Sequence, residues 1–382
     1  MKILVSAGEA SGDLYTASLV ASLRNRLPEV EFHGCAGPRM RAAGVHQVID
    51  AANLNVVGLI EVVRHIPRIY REYRKLSDWA RRERPAVAIL TDSPDFHLRL
   101  ARRLKRQGIP VIYLIAPQVW AWRSGRIAQM RRNIRELLCI FPFEVEFFAR
   151  HQMPATYIGH PLTRLVKPAF TRDEFLRKHR IPANRPIVTL LPGSRPGEMS
   201  RHLPLLARAA ELMNRRQATT FLLATPAGLI SRLGASFFTE PIGSAAIQHI
   251  EGETWDTIAH ADLALAASGT VTIEAALLGT PMVAYYKVNP LSWWMGRFLV
   301  KVPFFSMVNL IAGRQVVPEM IQNGLTGDSL AQTATSLLED SGARARMKQD
   351  LAEIAGRLAT SADPMELAAE RVLRVLSGEV DK

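Results

Sequence analysis

The chain is poor in cysteine and has no long hydrophobic run. Its 382 residues include 2 cysteines, Cys35 and Cys139, which have neither CxxC nor metal-ligand spacing. That spacing argues against a disulfide framework and indicates a reducing compartment. No run of about 18 apolar residues occurs, so we expect no membrane-spanning helix. Residues 1–10 hold too few apolar side chains before Glu9 to form a secretory signal.

Patterns typical of metal binding are also missing. The sequence has no zinc-like cluster of histidine and cysteine, and no Asp-x-Asp, a spacing that many sugar-nucleotide enzymes use to hold a divalent cation. We therefore expect neither a metal nor a cofactor. The charge of any bound phosphate would have to be met by arginine, by helix N-termini and by glycine-containing loops.

Positive charge is in excess. Lys and Arg number 48 against 35 for Asp and Glu, which gives a formal net charge of +13. A basic balance suits nucleic acid, an anionic membrane or phosphorylated substrates, and does not choose among them. Because no RRM, KH, zinc-finger or helix-turn-helix pattern occurs, we expect no nucleic-acid partner.

Short apolar strands alternate with helices along most of the chain. Residues 2–6 form the first predicted strand, before a glycine-containing loop and a helix, and a second series begins at Ile187–Leu191. This alternation predicts an α/β fold of two doubly wound, Rossmann-like domains with a cleft between them. The predicted parts are an N-terminal domain at 1–165, a C-terminal domain at 166–345, and helices at 346–382 that pack back on the N-terminal domain.

Residues 263–286 read as buried strand, tight loop, helix and buried strand. Ser268, Gly269 and Thr270 open the helix, where unpaired backbone N–H groups and the helix dipole favour an anion. Glu274 lies one turn further on the same face and can accept hydrogen bonds from sugar hydroxyls. We expect a nucleotide here, with diphosphate on Gly269 and Thr270 and ribose on Glu274. The alternative is an ordinary turn with a solvated Glu274.

A second loop, at residues 190–198, also joins a buried strand to a helix. Gly193 and Ser194 permit a tight turn rich in donors, and Arg195 adds a guanidinium whose geometry suits phosphate. We expect this loop to help bind the diphosphate. Arg195 could instead be a solvated loop residue.

The loop at residues 92–97 carries the candidate for general-base catalysis. Asp95 follows Pro94 where an α/β enzyme directs side chains toward its ligand, and a carboxylate there can deprotonate a hydroxyl. Asp92 is expected to brace the turn instead. His97 and Glu9 are competing candidates for the base, although His97 could equally be a satisfied loop histidine.

Two aromatic features suggest contacts with sugar or lipid. Trp120 and Trp122 can stack on sugar faces or pack under an acyl chain, or they can belong to the core. Residues 56–75, and as a further candidate 291–311, combine apolar and aromatic side chains with basic ones, which suits the surface of an anionic bilayer. The alternative for both stretches is amphipathic core helices with solvated charges.

Eight short motifs follow one another along the chain. They are GEASGD (8–13), AGPRM (36–40), SPDF (93–96), PQVWAWR (117–123), IGHP (158–161), LLPGSR (190–195), ASGT (267–270) with Glu274, and NLIAGR (309–314). In this order they resemble the lipid-A-disaccharide synthase family, a family of GT-B glycosyltransferases (family 19), from about residue 2 to residue 376. Two positions depart from the family pattern: His97 stands in place of Asn, and Gln118 in place of a frequent Ser.

The resemblance implies a GT-B enzyme that joins UDP-2,3-diacylglucosamine to 2,3-diacylglucosamine 1-phosphate, called lipid X. The product would be the β-1′,6-linked disaccharide 1-phosphate, formed with inversion, and UDP. Asp95 would be the base, and Asn309 and Arg314 would complete the donor site. Family members are peripheral on the cytoplasmic face of the inner membrane, and a homodimer is conceivable.

Two other classes of function stay open from the sequence. One is a different GT-B enzyme acting on a UDP-sugar, such as a UDP-GlcNAc epimerase or a muramyl-lipid glycosyltransferase, because the fold and the nucleotide site would be shared. The other is a non-catalytic basic module that binds a membrane surface.

Overall fold

The chain folds into two compact units. The structure is a computed structural model that describes residues 1–54, 59–122, 124–229, 246–289, 293–294 and 302–379, with backbone alone for 59–65, 122, 124 and 196. Unit 1 consists of Met1–Pro161 and Leu358–Lys382, and unit 2 consists of Leu162–Arg357. The chain therefore crosses from unit 1 to unit 2 and returns.

The strands are short and apolar, as predicted. They are β1 (Lys2–Ala7), β2 (Glu31–Ala36), β3 (His46–Asp50), β4 (Val87–Thr91), β5 (Val111–Leu114), β6 (Glu136–Cys139), β7 (Thr156–Tyr157), β8 (Ile187–Leu191), β9 (Thr220–Thr225), β10 (Ile247–Glu251), β11 (Leu263–Ala267), β12 (Met282–Tyr286) and β13 (Glu319–Ile321).

Helices connect the strands. They are α1 (Ala10–Arg26), α2 (Pro38–Ala42), α3 (Leu59–Glu83), α4 (Pro94–Arg106), α5 (Val119–Trp122), α6 (Ile127–Asn133), α7 (Pro142–Arg150), α8 (Leu162–Leu165), α9 (Arg172–His179), α10 (Pro196–Arg216), α11 (Thr254–Ala259), α12 (Thr270–Leu277), α13 (Met307–Ala312), α14 (Gly327–Glu339), α15 (Ser341–Leu358) and α16 (Pro364–Ser377).

Each unit is built on a parallel sheet. Within the described residues, the sheet of unit 1 has the order β3-β2-β1-β4-β5-β6-β7, and that of unit 2 has the order β10-β9-β8-β11-β12-β13. All the pairs are parallel. The central strands, such as β4, β8 and β11, are buried along their whole length because helices cover both faces of such sheets. The predicted α/β, doubly wound fold is confirmed.

The last helix belongs to unit 1. α16 packs against α1, and the carboxylate of Glu366 accepts hydrogen bonds from Arg26, the shorter at 2.7 Å. Arg371 also donates to Glu136 at the end of the sheet, at 2.8 Å. These contacts tie the returning segment to the first half of the chain.

Two helices begin inside stretches that the sequence analysis read as loops. The loops were placed at 92–97 and 190–198, whereas α4 begins at Pro94 and α10 at Pro196. Proline is well tolerated in the first helical turn, because its missing N–H would have no partner there. The glycine and proline residues read as loop are therefore the first turns of α4 and α10, and Asp95 lies on a helix.

Candidate active site

The candidate loops border the point in each sheet where the strand order reverses. In unit 1 the loops after β1 and β4 leave neighbouring strands, and in unit 2 the loops after β8 and β11 do the same. Ligands of open parallel sheets bind beyond the carboxyl ends of the strands at this point. The fold thus places the loops with Glu9 and Asp95 together, and likewise those with Arg195 and Thr270.

The N-terminus of α12 is open. Gly269 and Thr270 are exposed, no side chain caps the helix, and its first turn holds no acidic residue. A Cβ built on Gly269 would meet no described atom within 4 Å. Ser268 is already engaged, since its hydroxyl donates to the carbonyl of Phe305 at 2.8 Å. Within the described residues, no side chain closes this helix start, and an uncapped helix N-terminus is a geometry that binds anions.

Glu274 is a partly buried carboxyl on the same helix. The indole of Trp255, on α11, donates a hydrogen bond to it, and burial raises the pKa of Glu274 to about 7. The carboxylate is therefore not the solvated group of the alternative interpretation. A fixed carboxylate near an open helix N-terminus can accept hydrogen bonds from sugar hydroxyls.

The loop after β8 is organised by a carboxylate that the sequence analysis gave no role. Arg195 is the N-cap residue of α10, and its Nη1 lies 3.1 Å from Oε1 of Glu198 in the first turn. Gly193 has φ of +102°, and a Cβ on it would lie 2.7 Å from Glu198 Oε2. Ser194 is exposed. An acidic residue three positions after the N-cap is a known signal at helix starts, and it could have identified Glu198.

Asn309 braces a loop, and both polar atoms of its side chain are hydrogen-bonded within the protein. Its Nδ2 donates to the carbonyl of Val317 at 2.9 Å and to Glu319 Oε1 at 2.7 Å. Its Oδ1 accepts from the backbone N–H groups of Val316 and Val317 at 2.7 and 2.9 Å. Since the residue is fully buried, a direct contact with a nucleotide would require breaking these bonds. Asn309 therefore braces this loop, and its expected contact with the donor stays a prediction.

Arg314 is exposed and forms a two-pronged ion pair with Asp350, at 2.7 and 3.1 Å. Its guanidinium is therefore committed to α15 in this structure. A second carboxylate, Glu319, accepts hydrogen bonds from the N–H groups of Phe305 and Ser306, both at 2.9 Å, and closes the start of α13. The local sequence does not predict this role of Glu319, because its partners lie more than ten residues away in the chain.

In unit 1, Asp92 holds the first loop against the fourth strand. Its carboxylate oxygens accept from the backbone N–H groups of Gly8 at 2.8 Å and Glu9 at 3.0 Å. Burial, and then the charge of Glu9, raise the pKa of Asp92 to about 8. The structure gives Asp92 the bracing role that we expected for it.

Asp13, in the motif of the first loop, closes another helix. Its carboxylate accepts hydrogen bonds from the backbone N–H groups of Gly37, Arg39 and Met40, at 2.9, 2.9 and 3.1 Å. These groups form the N-terminus of α2, which would otherwise resemble an anion site. The motif at 36–40 is therefore joined to the motif at 8–13 and is not a site of its own.

The three candidate bases lie in different environments. Asp95 is exposed in the first turn of α4 and forms an ion pair with Arg126. Glu9 is partly buried at the N-cap position of α1. His97 is fully buried, with Nε2 2.7 Å from the hydroxyl of Ser6 and Nδ1 bonded to a backbone carbonyl. Burial lowers the pKa of His97 to about 4. His97 is therefore unsuited to act as a base.

Trp120 packs within unit 1. Its indole donates to Glu144 at 3.1 Å and meets the ring of Phe143 edge-on at 5.1 Å. Burial raises the pKa of Glu144 to about 7. The backbone of Trp122 is described but its side chain is not, and Arg123 lies outside the described residues, as do 56–58, 291–292 and 295–301 of the two aromatic stretches.

Neither a metal cluster nor a membrane span is found in the part of the chain that the structure describes. Within it, no three side chains of His, Cys, Asp or Glu gather to hold a metal ion. Each described helix is too short or too polar to cross a bilayer.

Comparison with protein families gives a match over almost the whole chain. A family model described as "Lipid-A-disaccharide synthetase" matches residues 3–369. A lipid-A-disaccharide synthase of Solibacter usitatus is 59% identical over 379 residues, covering 99% of this chain and 98% of the relative. The corresponding protein of Myxococcus xanthus is 39% identical over 98% of this chain and 97% of its own length.

Solved structures share the fold at low sequence identity. The UDP-GlcNAc 2-epimerase of Neisseria meningitidis, bound to UDP-GlcNAc, matches with a TM-score of 0.63 and 12% identity over 99% of this chain and all of that one. The calicheamicin glycosyltransferase CalG4 matches with 0.59 and 15% over 98% of each chain. At these identities the likeness shows the GT-B architecture alone.

Proposed function

The chain belongs to the lipid-A-disaccharide synthetase family, and from this premise we propose how its residues carry out the reaction. It is a glycosyltransferase of lipid A biosynthesis that condenses UDP-2,3-diacylglucosamine with lipid X and releases UDP. The assignment of steps to individual residues is the proposal.

The donor's diphosphate binds at the start of α12. The observation that supports this most is the exposed, uncapped N-terminus at Gly269 and Thr270, which lies at the reversal point of the sheet. The starts of α2, α10 and α13, by contrast, already hold the carboxylates of Asp13, Glu198 and Glu319. A diphosphate would therefore find unopposed positive potential at α12.

Arg195 and Glu274 complete the donor site. Arg195, held by Glu198 and 37% exposed, offsets the negative charge that grows on the leaving diphosphate. Glu274 accepts hydrogen bonds from the ribose hydroxyls with a carboxylate that Trp255 keeps in place. Gly193 and Ser194 supply the tight turn that presents Arg195.

Asp95 deprotonates the 6-hydroxyl of lipid X. Its exposure in the first turn of α4 supports this role over Glu9, which is partly buried, and over His97, which is fully buried. Arg126 orients the Asp95 carboxylate through their ion pair. The hydroxyl attacks the anomeric carbon as the bond to UDP breaks, which inverts that carbon without a covalent intermediate, and the proton passes to Asp95.

The test separates this reaction from that of other UDP-sugar enzymes. Purified protein is given lipid X with UDP-2,3-diacylglucosamine or with UDP-N-acetylglucosamine, and UDP release and the disaccharide are followed by mass spectrometry. We expect the disaccharide only when the diacylated donor is supplied. Conversion of UDP-N-acetylglucosamine without acceptor would instead favour an epimerase. If no UDP were released from either donor, the non-catalytic module would be favoured.

The membrane-facing surface that we propose lies along α3. A groove of about 630 Å³ is bordered by Val48, Pro67, Tyr70, Arg71, Arg74, Lys75, Asp78, Trp79 and Arg82. Nearby, Ile66 and Tyr70 are 53% and 58% exposed. Basic side chains beside exposed apolar ones suit the headgroup region of an anionic bilayer on the cytoplasmic face of the inner membrane.

Sedimentation with vesicles tests this surface. Replacing Arg71 and Arg74 by Ser should weaken binding to phosphatidylglycerol-containing vesicles roughly 25-fold, since each near-surface cation contributes about 1 kcal/mol. Replacing Arg215 and Arg216 on α10, which removes the same charge, should have little effect. Equal losses in the two double variants would contradict the proposal. The predicted homodimer stays a prediction, to be checked by sedimentation equilibrium.

A further inference from the structure

A fully buried histidine joins two strand ends in unit 1. His97, on α4, has Nδ1 2.9 Å from the backbone carbonyl of Asp92, the first residue of the loop after β4. Its Nε2 lies 2.7 Å from the hydroxyl of Ser6, near the end of β1. The ring therefore connects the two strands on either side of the reversal point.

Unit 2 contains a histidine that holds a carbonyl in the same way. His202, on α10, is also fully buried, and its Nδ1 lies 2.8 Å from the carbonyl of Pro192 in the loop after β8. Its Nε2 faces Lys287, just after β12, with the backbone N–H at 3.2 Å and the backbone carbonyl at 3.3 Å. In both units the histidine follows the candidate loop by one or two helical turns and holds its first carbonyl.

The partners fix one tautomer of both rings. A carbonyl can only accept, so Nδ1 must carry the hydrogen in each case. In a neutral ring with hydrogen on Nδ1, Nε2 is bare. Nε2 of His202 then accepts from the backbone N–H of Lys287 at 3.2 Å and does not donate to the Lys287 carbonyl at 3.3 Å, and Nε2 of His97 accepts from the hydroxyl of Ser6. Burial lowers the pKa of both histidines, which agrees with neutral rings.

The carbonyl that His97 holds lies in backbone of unusual conformation. Asp92 and Ser93 have φ of 58° and 37°, a left-handed conformation that costs free energy for residues other than glycine. The hydroxyl of Tyr113 also donates to the carbonyl of Asp92. This turn leads directly into Pro94 and Asp95. In unit 2, Pro192 leads into Gly193 and Arg195.

We propose that His97 and His202 are positioning residues: their Nδ1–H groups hold the turns that present Asp95 and Arg195. Without the donor, each turn would relax toward ordinary backbone and displace the side chain that follows. A displacement of about 1 Å can lower a rate by roughly 100-fold. The inference rests on the proposed function in naming which kinetic constant each histidine controls, while the tautomer itself does not depend on it.

The first experiment reads the tautomers directly. The protein has 10 histidines, and ¹⁵N-histidine labelling with His97→Asn and His202→Asn as assignment variants identifies the two rings by NMR. We expect both to be neutral with hydrogen on Nδ1 at pH 7.5. A hydrogen on Nε2 in either ring would overturn the proposal for that ring, whatever the enzyme's substrate.

The second experiment separates the two loops kinetically. An asparagine amide can donate in place of Nδ1–H, whereas leucine cannot. We expect His97→Leu to lower kcat about 10- to 100-fold with the Kd of UDP within twofold, and His202→Leu to raise the Kd of UDP about tenfold. The asparagine variants should recover most of each loss. His151→Leu is the control, because His151 bonds a carbonyl in the same way but on the surface of α7.

Folding is followed by circular dichroism. If His97→Leu fails to fold, Ser6→Ala replaces it. This variant removes the hydroxyl that bonds Nε2 of His97 and also faces Cys35, and it should lower kcat about threefold without changing UDP affinity. Equal effects of His97→Leu and His202→Leu on kcat and on UDP affinity would overturn the proposal. If the split is found but Asp95→Asn remains active, the positioning of α4 stands and the assignment of Asp95 as base fails.

Discussion

Gly12 of α1 lies directly against Asp92: a Cβ on Gly12 would sit 1.8 Å from Asp92 Oδ2. The Asp92 carboxylate cannot move away easily, because it is bonded to the backbone N–H groups of Gly8 and Glu9. The close approach joins the loop after β1 to the loop after β4. It leaves no room for a side chain at position 12.

Gly12→Ala should therefore destabilise the protein by about 1–3 kcal/mol through overpacking, although alanine favours helices. Gly356→Ala is the matched control: Gly356 lies in α15 with no described atom near the position of its Cβ, so alanine should stabilise the protein by about 0.5–1 kcal/mol. Urea unfolding of both variants checks the prediction. A stabilised Gly12→Ala variant would contradict the observed packing.

Asp95→Asn should lower turnover by about 10²–10⁴, because the amide cannot take the proton of the attacking hydroxyl. The Kd of UDP should change little, since the nucleotide is assigned to unit 2. Glu146→Gln, at an exposed glutamate on α7, controls for the lost surface charge. Single-turnover assays and calorimetry with UDP measure the two effects. Near-normal turnover would transfer the role of base to Glu9.

Thr270→Asp should weaken UDP binding by about 10- to 100-fold while leaving the fold intact or slightly more stable. A carboxylate in the first turn of α12 repels the diphosphate but interacts well with the helix dipole. Ser341→Asp adds the same charge to the start of α15, whose first turn also lacks an acidic residue, and should leave UDP binding unchanged. Calorimetry measures the UDP affinity of both variants, and thermal unfolding measures their stability. Unchanged UDP affinity in Thr270→Asp would rule out the diphosphate site at α12.

The affinity for UDP should rise as the pH increases from 6 to 8. Burial raises the pKa of Glu274 to about 7, and the ionised carboxylate is the better acceptor for ribose hydroxyls. In Glu274→Gln this part of the pH dependence should vanish, and at pH 8 the variant should bind UDP more weakly. The titration of UDP itself is common to both proteins and cancels in the comparison. If the UDP affinities of the wild type and of Glu274→Gln changed with pH in the same way, the proposed contact of Glu274 with the ribose would be wrong.

His97 should make the protein sensitive to acid. Its pKa is about 4 in the folded protein against an ordinary 6.5, so the unfolded chain binds this proton first as the pH falls. Stability from the neutral ring is present above pH 6.5 and is lost between 6.5 and 4, by up to about 3 kcal/mol. The difference in unfolding free energy between the wild type and His97→Asn should follow this course. A difference that stays constant with pH would show that His97 is not buried as a neutral ring.

The sequence by itself determined the α/β class and which loops follow the central strands, but it did not predict the edge strands β3 and β13. Strands such as Leu263–Ala267 are continuous apolar runs, and the residues after them are small or polar, so the pattern depends only on neighbours in the chain. The eight motifs are also recognised from the sequence alone. The family resemblance that they carry is confirmed by the match over residues 3–369.

The tertiary structure decided which helix N-termini remain available to a ligand. Three helix starts look alike in sequence, but Asp13 closes α2 across 24 residues and Glu319 closes α13 from a later strand, whereas no side chain caps α12. Only folding brings such distant carboxylates to these amides. Likewise, His97 and Asp95 are two residues apart on one helix, yet one is buried and the other exposed, because successive side chains of a helix point about 100° apart around its axis.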